Sequence, residues 1–449
     1  MLILLILSKM YLRIDMNPLY LTYTALTSGL FVTGFPLFWT YARLTGRYRR
    51  GLKERLGLMP PLMPRRAGGP PRIWIHAVSL GEIKVAEAII GSLKTLIPGC
   101  GLVLSTTTEH GRELALETFG GAGIPIIYAP LDVPILIRKA LERVGPDVLV
   151  FLETEIWPAW MTEARKMGVK TALINGRISL RTARSYRRMR FFFRDILMNL
   201  DAVSVITQKD ADGLAGMGAD PERIEVNGNA KYDLLADRPD RAMEAEMRRL
   251  LRVHPSQDVI VAGSTREGEE AVILDAYKEI LPSRPETLLI IAPRHMRRVS
   301  AIETLLKERG VAYQLRTGLG GAGQRREAPV VLLDTFGELF TLYSVGTINF
   351  CGASLVPLGG QNPMEPACWG KAVFYGPYMS DFLDARALLE EARAGFQVSD
   401  AETFAEKILW FLNRPQALKE AGERARQAVM ENRGAAERHA KVIARLAGP

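Results

Sequence analysis

The chain has 449 residues, of which 48% are hydrophobic and 24% are charged. This composition is typical of globular proteins and excludes a disordered chain, and the length predicts two or three domains. The three cysteines, at positions 100, 351 and 368, are too few and too scattered for a disulfide framework or a zinc site. The formal charge of +9 is concentrated behind the N-terminal apolar segment and around residues 177–194, which indicates an anionic surface or substrate.

The N-terminal region contains 27 residues without a charge, from position 16 to position 42. This length is sufficient to cross a bilayer, and a cluster of basic residues follows it from position 43 to position 55. The positive-inside rule then places the rest of the chain in the cytoplasm. A buried core helix is the alternative. Translation begins either at Met1 or at Met16.

Short apolar runs alternate with helix-periodic stretches in the rest of the chain. Runs of four to seven residues that are apolar on both faces are typical of buried parallel strands. The first block contains RIWIHAV (72–78), GLVLST (101–106), IPIIYAP (124–130), DVLVFLE (147–153), TALING (171–176), AVSVIT (202–207) and RIEVNG (223–228). The second contains DVIVAG (258–263), TLLIIAP (287–293), VVLLD (330–334), TINFCG (347–352) and AVFYGP (372–377).

This alternation predicts two doubly wound α/β domains. We expect an N-terminal membrane anchor and basic segment over 1–59, a first domain over 60–235, and a second over 236–449 that ends in closing helices. Ligands of such folds bind outside the carboxyl ends of the strands, so the residues that follow each strand are the candidates for function.

Four strand-to-helix junctions share the spacing of a capping box, in which the first residue and a glutamate three positions later satisfy free backbone N–H groups. They are Ser79/Glu82, Ser264/Glu267, Thr335/Glu338 and Asn362/Glu365. The spacing alone therefore cannot identify a catalytic glutamate. A carboxylate at a helix N-terminus is also held in its charged form, so a base at position 82 needs an opposing influence such as desolvation.

The junction VPLGGQNPMEPACWG has further features that favour phosphate binding. Gly359 and Gly360 allow close approach of the backbone to a ligand, Asn362 suits a helix N-cap, and Pro363 suits the first helical position. The helix N-terminus then offers unpaired N–H groups to an anion. The motif is neither GxGxxG nor a P-loop, so it supports neither a dinucleotide fold nor an NTPase.

Two other strand ends in the second block bear residues suited to the same ligand. Arg294 and His295 follow one strand, and Gly337 and Glu338 follow another. An arginine is a good partner for a phosphate, whereas a single histidine is weak evidence of a site. The convergence of three strand ends on one nucleotide is the stronger indication.

In the first block, the apolar strand DVLVFL is followed by two carboxylates, Glu153 and Glu155. Period-two geometry predicts that both point to one face, and a strand end near a core usually avoids acids. We find no third acid or histidine at a useful spacing, so no metal site is predicted. Lys231 follows the last strand of the block, at the junction between the two blocks, and is expected to project into the cleft.

The segment 177–195 combines many arginines with three consecutive phenylalanines, Phe191 to Phe193. A basic segment with aromatic residues indicates an acidic lipid surface. Nucleic acid is the rival partner, but no recognition motif accompanies the arginines, so none is predicted.

Seven ordered motifs resemble the Kdo (3-deoxy-D-manno-octulosonic acid) transferases of lipopolysaccharide synthesis, over about residues 70–430. They are HAVSLGE, ETEIWP, GNAKYD, AGSTREGEE, APRH, DTFGEL and GGQNPMEP. The resemblance implies a GT-B glycosyltransferase fold, with two Rossmann-like domains facing a cleft and an N-terminal membrane-anchor helix. It also implies CMP-Kdo as donor, a lipid A precursor (lipid IVA) as acceptor, inversion at the anomeric carbon, and neither a cofactor nor an essential metal.

The resemblance assigns roles residue by residue. Glu82 matches the general base, and Glu153 and Lys231 match groups that stabilise the transition state. The positions that match CMP contacts are Pro293, Arg294, Phe336, Gly337, Glu338, Asn362, Pro363, Met364 and Glu365. Two residues depart from the family pattern: Phe336 stands where methionine is frequent, and Gln361 where histidine is common. The arginines of 177–194 would suit the acceptor's phosphates, with the phenylalanines against its acyl chains.

The implied location is the cytoplasmic face of the inner membrane, with a single-pass anchor. Two alternatives remain. The first is another GT-B enzyme, such as a nucleotide-sugar epimerase or a UDP-sugar transferase, although an epimerase needs no anchor. The second is a membrane-tethered binding protein without catalysis, and the presence of Glu82, Glu153 and Lys231 disfavours it.

Overall fold

The structure, a computed structural model, describes residues 18–45, 51–59, 69–178, 190–236, 238–320 and 325–448. The chain divides into two compact units. The first comprises the residues up to Lys231 together with those from Gly434 onward, and the second comprises Tyr232–Arg433. Each unit is built on a seven-stranded sheet in which all strand pairs are parallel.

The first unit contains strands β1 to β7 with helices around them. The strands are β1 (Arg72–His76), β2 (Gly101–Thr106), β3 (Ile126–Tyr128), β4 (Val148–Leu152), β5 (Lys170–Gly176), β6 (Ala202–Val205) and β7 (Ile224–Val226). The helices are α1 (Pro18–Thr45), α2 (Leu52–Arg55), α3 (Leu80–Leu96), α4 (Glu109–Phe119), α5 (Pro134–Val144), α6 (Pro158–Lys166), α7 (Arg190–Leu197), α8 (Gln208–Met217), and the start of α9 (Lys231–Ala236), with 3₁₀ turns at Gly120–Ala122 and Pro221–Arg223.

The sheet of the first unit has the strand order β3-β2-β1-β4-β5-β6-β7. The chain therefore adds strands in one direction from β1 to β3 and in the other direction from β4 onward. The switch point lies between β1 and β4, which pair with His76 opposite Phe151. In open α/β sheets this is the place where the carboxyl ends of two neighbouring strands leave a crevice for a ligand.

The central strands of this sheet are buried, as expected for a parallel sheet with helices on its faces. Every residue of β4 is buried, and its neighbour β1 is buried from Ile73 to His76. Trp74 of β1 packs against Trp160 of α6, with 4.9 Å between the ring centroids. Such continuous apolar strands are the ones that the sequence pattern identifies most directly.

The second unit repeats this architecture. Its strands are β8 (Val259–Thr265), β9 (Leu288–Pro293), β10 (Tyr313–Leu315), β11 (Val330–Leu332), β12 (Ile348–Cys351), β13 (Val373–Tyr375) and β14 (Gly395–Gln397). Its helices are the rest of α9, α10 (Arg241–Leu250), α11 (Glu269–Ile280), α12 (Val299–Glu308), α13 (Leu339–Val345), α14 (Met364–Cys368), α15 (Leu383–Glu391), α16 (Ala401–Leu412) and α17 (Pro415–Glu431), with 3₁₀ turns at Met296–Arg298, Arg316–Gly318 and Ser380–Phe382.

The second sheet has the order β10-β11-β9-β8-β12-β13-β14, so its switch point lies between β8 and β12. The residues after β8 and after β12 flank the crevice there, and those after β9 and β11 follow along the same edge. The predicted pair of doubly wound domains is confirmed.

All twelve apolar runs that we predicted as strands form strands. The sequence pattern missed β10 and β14, which are the two edge strands of the second sheet. Each has only three residues, none of them fully buried, and each contains a glutamine. A short, half-exposed edge strand carries no continuous apolar run, which is the reason that the pattern did not reveal it.

The division of the chain differs from the predicted boundaries at both ends of the second domain. The division falls after Lys231 instead of after residue 235, and the last helix, α18 (Ala435–Ala447), belongs to the first unit. The α18 side chains that are buried include Ala440, Val442 and Ile443, and this helix packs against α3. A terminal helix with an apolar face needs a partner surface, and sequence order does not determine which unit supplies it.

Candidate active site

Glu82 lies in the first turn of α3, directly after the loop that leaves β1 at the switch point. Its side chain is buried, and the residue is only 6% exposed. The Val78 N–H donates to Glu82 Oε2 over 2.7 Å, and the Ser79 hydroxyl donates to Oε1 over 3.1 Å. Burial raises the pKa of Glu82 to about 8, the two donors oppose this shift, and the nearby carboxylates of Glu153 and Glu155 add to it.

The reciprocal capping box predicted at Ser79 and Glu82 does not form. The Ser79 hydroxyl accepts no backbone N–H and instead donates to the Glu82 carboxylate. The glutamate bonds the N–H of Val78, one residue before the N-cap. The box predicted at Ser264 and Glu267 is also absent, because α11 begins at Glu269 behind Gly268. A base at position 82 needs desolvation to offset the helix N-terminus, and the burial of Glu82 supplies it.

Glu153 is the first residue after β4, on the other side of the switch point. Its backbone is in the left-handed region with φ of 56°, a conformation that is unfavourable for a residue with a side chain. The residue is 5% exposed, and its N–H donates to the Ile174 carbonyl. Strain of this kind persists where surrounding contacts impose it, and it concentrates at functional sites.

Two cations face the Glu153 carboxylate. Lys231 Nζ lies 2.5 Å from Oε1, and Arg177 Nε lies 2.9 Å from Oε2. The same Lys231 ammonium lies beside the first turn of α3, since a Cβ added at Gly81 would be 3.5 Å from Nζ. The structure therefore brings Glu82, Glu153 and Lys231 to one edge of the sheet. It adds Arg177, which the sequence pattern associated with lipid.

The loop that carries Lys231 is held by buried polar side chains. Asn175 Oδ1 accepts the Ala230 N–H over 2.9 Å, and Asn175 itself has a φ of 54°. From the C-terminal helix α18, His439 Nε2 bonds the Gly228 carbonyl over 3.0 Å, while its Nδ1 lies 2.7 Å from Ser204 Oγ. Sequence reasoning missed Asn175 and His439, because a single Asn in a strand and a histidine 200 residues away carry no pattern.

The period-two geometry from which we predicted a common face for Glu153 and Glu155 does not extend to these residues. β4 ends at Leu152, so the alternation stops before either carboxylate. The Trp157 indole N–H donates to Glu155 Oε2 over 2.6 Å, and burial raises the pKa of this carboxyl group. Glu155 therefore belongs to the polar surroundings of Glu82, whose pKa it helps to raise.

In the second unit, the residues after β8 and β9 form a cationic cluster. Arg266 Nη1 lies 2.5 Å from His295 Nε2, and the pKa of His295 is lowered by partial burial and by Arg266, Arg297 and Arg294. Arg294 is exposed and follows Pro293, the last residue of β9. A histidine beside several arginines is a favourable setting for an anionic ligand.

The segment after β11 contains Phe336, Gly337 and Glu338. Glu338 pairs with Arg316 over 2.6 Å and accepts the Thr335 hydroxyl. Gly337 has a φ of 85°, which favours glycine at this position. Phe336 is 76% exposed, an unusual position for a large apolar ring, and it is available to a ligand.

The glycine-rich loop after β12 leads into α14, which begins at Met364, one residue later than predicted. The N-cap is Pro363 and not Asn362, so the predicted cap positions are wrong by one residue, although Asn362 Oδ1 accepts the Met364 N–H over 3.1 Å. Met364 itself packs in the hydrophobic core, so its side chain is not placed to contact a donor. Burial raises the pKa of Glu365, and the nearby Arg238 and Arg294 oppose this shift.

Glu269 holds the start of the same loop, a role that the sequence did not reveal. Its buried carboxylate accepts the N–H groups of Ala353, Ser354 and Leu355 over 2.7–2.9 Å, and that of Arg266 over 2.8 Å. Ala353 has a φ of 57°. One carboxylate thus joins the loops after β8 and β12 on both sides of the switch point.

The predicted lipid segment is only partly within the described residues. Residues 179–189, with Arg184, Arg187 and Arg188, lie outside them. Phe192 and Phe193 belong to the hydrophobic core, and only Phe191 is exposed. The prediction that the three phenylalanines contact acyl chains is therefore wrong for two of them. Phe192 and Phe193 lie on the apolar face of α7, which packs into the core.

The chain matches a family described as 3-deoxy-D-manno-octulosonic-acid transferase over residues 50–234. A 3-deoxy-D-manno-octulosonic acid transferase of Bordetella pertussis is 30% identical over 418 residues, which cover 90% of this chain and 94% of the relative. A bifunctional glycosyltransferase/methyltransferase of Fusobacterium nucleatum is 31% identical over 337 residues, 75% of this chain. The matched region spans about half (52%) of that relative's length.

Two solved structures share the fold. A glycosyltransferase of Rickettsia africae has a TM-score of 0.57 at 16% identity, covering 83% of this chain and 99% of that one. A UDP-N-acetylglucosamine 2-epimerase of Listeria monocytogenes also has a TM-score of 0.57, at 14% identity, covering 82% and 94%.

The two parallel-sheet α/β domains have the GT-B fold, which both of these structures share. The predicted fold class is confirmed. The chain belongs to the 3-deoxy-D-manno-octulosonic acid transferase family.

Proposed function

We propose that this protein transfers Kdo from CMP-Kdo to a lipid A precursor, lipid IVA, with inversion at the anomeric carbon. The observation that carries the proposal is the buried Glu82, whose pKa is raised to about 8, beside the Glu153–Lys231 ion pair at the switch point of the first unit. The similarity to Kdo transferases over most of the chain supports the identity of the sugar.

Glu82 acts as the general base in this proposal. An acceptor hydroxyl must lose its proton as it attacks the anomeric carbon, and a carboxylate within hydrogen-bond reach accepts it. A pKa near the working pH makes Glu82 a stronger base than an exposed glutamate. Lys231, already fixed against Glu153, offers a positive charge toward negative charge that develops in the transition state.

The second unit binds the donor in this proposal. The phosphate of CMP becomes the leaving group and gains negative charge as the glycosidic bond breaks. Arg294, Arg266 and His295 supply cations and hydrogen-bond donors for it, and the exposed Phe336 ring is available for a flat base. Fixed cations of this kind stabilise a leaving phosphate without requiring a metal ion.

The test is incubation of the purified protein with CMP-Kdo and a tetraacylated lipid A precursor, followed by mass spectrometry of the lipid. We expect a mass increase of one or more Kdo units. Glu82→Gln should give none, and the matched control Glu87→Gln, a partly exposed glutamate paired with Lys84 on the same helix, should retain activity. Absence of product with CMP-Kdo, with transfer from a UDP-sugar instead, would overturn the donor assignment.

The same experiment separates the two alternatives. An epimerase would convert a nucleotide sugar in the absence of any acceptor, and a binding protein would retain CMP-Kdo without forming product. The epimerase of Listeria monocytogenes shares the fold, which is why a direct assay of the product is needed.

We also propose that the protein works at the cytoplasmic face of the inner membrane. Among the described residues, one helix, over Pro18–Tyr41 of α1, is long and apolar enough to cross a membrane. Basic residues follow it, and a lipid acceptor is confined to a membrane. Membrane fractionation of the full chain tests this location, and recovery in the soluble fraction would contradict it.

A further inference from the structure

The first turns of α1 are fixed to the first unit. The Tyr23 hydroxyl donates to Asp132 Oδ2 over 2.5 Å, and the Tyr23 ring lies 5.7 Å from the Phe192 ring. Asp132 Oδ1 also accepts the N–H groups of Ala159 and Trp160, so it is a fixed part of the domain. Tyr20 is buried as well, with Lys166 Nζ 5.7 Å from its ring centroid.

The residues that follow α1 are fixed to the same unit. Glu54 of α2 pairs with Arg112 over 2.9 Å and accepts the Tyr128 N–H over 2.5 Å. Arg55 donates to the Thr107 carbonyl over 2.6 Å, and its own carbonyl accepts the Leu131 N–H over 2.9 Å. Both flanks of α1 therefore lie against one domain.

These contacts are incompatible with a helix that crosses the bilayer. From Tyr23 to Thr45 the helix extends about 33 Å, at 1.5 Å per residue, while the hydrocarbon core is about 30 Å thick. With its N-terminal end in the periplasm, Tyr23 would lie across the membrane from Asp132, which belongs to the cytoplasmic domain.

The opposite orientation fails as well. It would put Thr45 in the periplasm, and the chain would have to return to Gly51, whose backbone lies against Tyr128. The residues from Thr45 to Gly51 span at most about 21 Å when fully extended. That length is shorter than the hydrocarbon core, and the return path would carry Arg47, Arg49 and Arg50 through it.

We propose that α1 is a monotopic helix, which inserts into the cytoplasmic leaflet and has both ends on the cytoplasmic side. Several leucines beyond its first turns are exposed: Leu30, Leu37 and Leu44 are each at least 75% exposed. A bilayer with anionic phospholipids is the partner, since these leucines are followed by arginines that attract anionic head groups. Arg43 lies over the Trp39 ring at 4.0 Å, an arrangement suited to the membrane interface.

The position of the helix on the domain matches the position of the active site. Thr107 follows β2, Tyr128 ends β3, and Asp132 follows it, so all the contacts of α1 and α2 named above that involve the sheet lie at its carboxyl edge. Glu82 and Glu153 follow β1 and β4 at the same edge. The inserted helix therefore turns the catalytic edge toward the leaflet, where an acceptor with acyl chains presents its sugar.

The inference deepens the membrane location in the proposed function, and cysteine labelling tests it independently of activity. In a chain with Cys100→Ser, which leaves the buried Cys351 and Cys368, single cysteines are introduced as Pro18→Cys and, as the cytoplasmic control, Leu58→Cys. A membrane-impermeant maleimide is added to inverted inner-membrane vesicles or to intact spheroplasts of a Gram-negative host. Labelling in detergent defines the complete reaction.

We expect Pro18→Cys to be labelled in inverted vesicles to at least half of the detergent value, like Leu58→Cys, and to be protected in spheroplasts. Labelling of position 18 from the spheroplast side only would show a spanning helix, which overturns the inference and leaves the membrane location intact. Labelling from neither side would also overturn it, because the inference places this end outside the hydrocarbon. Recovery of the protein in the soluble fraction would instead contradict both proposals.

Discussion

Glu82 is held by one backbone N–H and one hydroxyl, at a depth that disfavours its charged form. An ordinary capping glutamate is exposed and ionised, so it stabilises a helix but is a weak base. Here burial raises the pKa of Glu82 by more than the helix N-terminus lowers it. The residue therefore combines a structural position with the proton affinity that a general base requires.

Glu82→Gln should abolish Kdo transfer without a loss of stability. Glutamine retains an oxygen acceptor for the Val78 N–H but cannot accept a proton from an acceptor hydroxyl. We expect a fall in kcat of at least about 100-fold, in the range for loss of a general base. The assay is mass spectrometry of the lipid product, and Glu87→Gln serves as its control.

The difference in stability between this variant and the wild type should depend on pH. The folded pKa of Glu82 lies above its unfolded value, so its contribution is fully present below about pH 4.5 and is lost as the pH rises through about 8. Glu82→Gln should thus have a Tm close to that of the wild type at about pH 4.5 and a higher Tm at pH 9. A large loss of stability with activity retained would instead assign Glu82 a capping role.

The pH dependence of kcat/KM provides a separate prediction. If Glu82 must be deprotonated, kcat/KM should rise about tenfold per pH unit below pH 8 and level off above it. A rise of kcat/KM that levels off near pH 4.5 would mean that Glu82 titrates like an exposed carboxyl group. This result would contradict its burial as the cause of a raised pKa. Steady-state rates with a soluble acceptor analogue over pH 5–10 measure this profile.

At the level of elements, the loop between β7 and α9 depends on a helix from the other end of the chain. α18 supplies His439, which joins the Gly228 carbonyl to the Ser204 hydroxyl, and Asn227 Nδ2 donates to the same hydroxyl over 2.7 Å. Burial lowers the pKa of His439 to about 4, so it is neutral at physiological pH. Its Nε2–H donates to Gly228, and its Nδ1 accepts from Ser204.

Removal of this support should displace Lys231. We expect His439→Ala and Ser204→Ala each to lower kcat by about 10-fold, because small displacements of a charged group in a site are costly, while the KM for CMP-Kdo changes less than twofold. His254→Ala, at an exposed histidine of the second unit, is the control. Equal losses in kcat and in donor affinity would indicate general unfolding and would contradict a positioning role.

At the level of the whole molecule, each unit has its own sheet and core, but the first unit is completed by residues 434–449. The chain thus leaves the first unit, builds the second, and returns. The buried face of α18 covers α3, the helix that carries Glu82 in its first turn.

Truncation after Arg433 should therefore destabilise the first unit, although the deleted residues follow the second in sequence. Loss of the buried Val442 and Ile443 alone costs about 3–6 kcal/mol, a large fraction of the stability of a domain. In calorimetry we expect the first unit to unfold at a markedly lower temperature while the second keeps its transition. Unchanged unfolding of both units would contradict the role of α18.

Much of this architecture follows from local sequence. The strands β1, β4, β8, β9 and β12 are continuous apolar runs, and burial between two helical layers demands such residues. Parallel strands place the residues after their carboxyl ends on one edge, which made Glu153 and Lys231 candidates for function. The roles assigned to Glu82, Glu153 and Lys231 come from the resemblance to the family and stay predictions. The edge strands β10 and β14 are half-exposed and three residues long, so their positions do not have to be apolar.

Long-range packing decided the rest. The sequence shows that position 82 is a glutamate after a strand, but only the tertiary structure buries it and raises its pKa. Arg177 and Phe192 belong to one arginine-rich segment, yet the first pairs with Glu153 and the second enters the core. The partner of α18 and the docking of α1 beside Asp132 likewise depend on surfaces formed by distant residues. Burial and charge pairing need two partners that meet in the folded chain. A local stretch of sequence contains only one of the two partners.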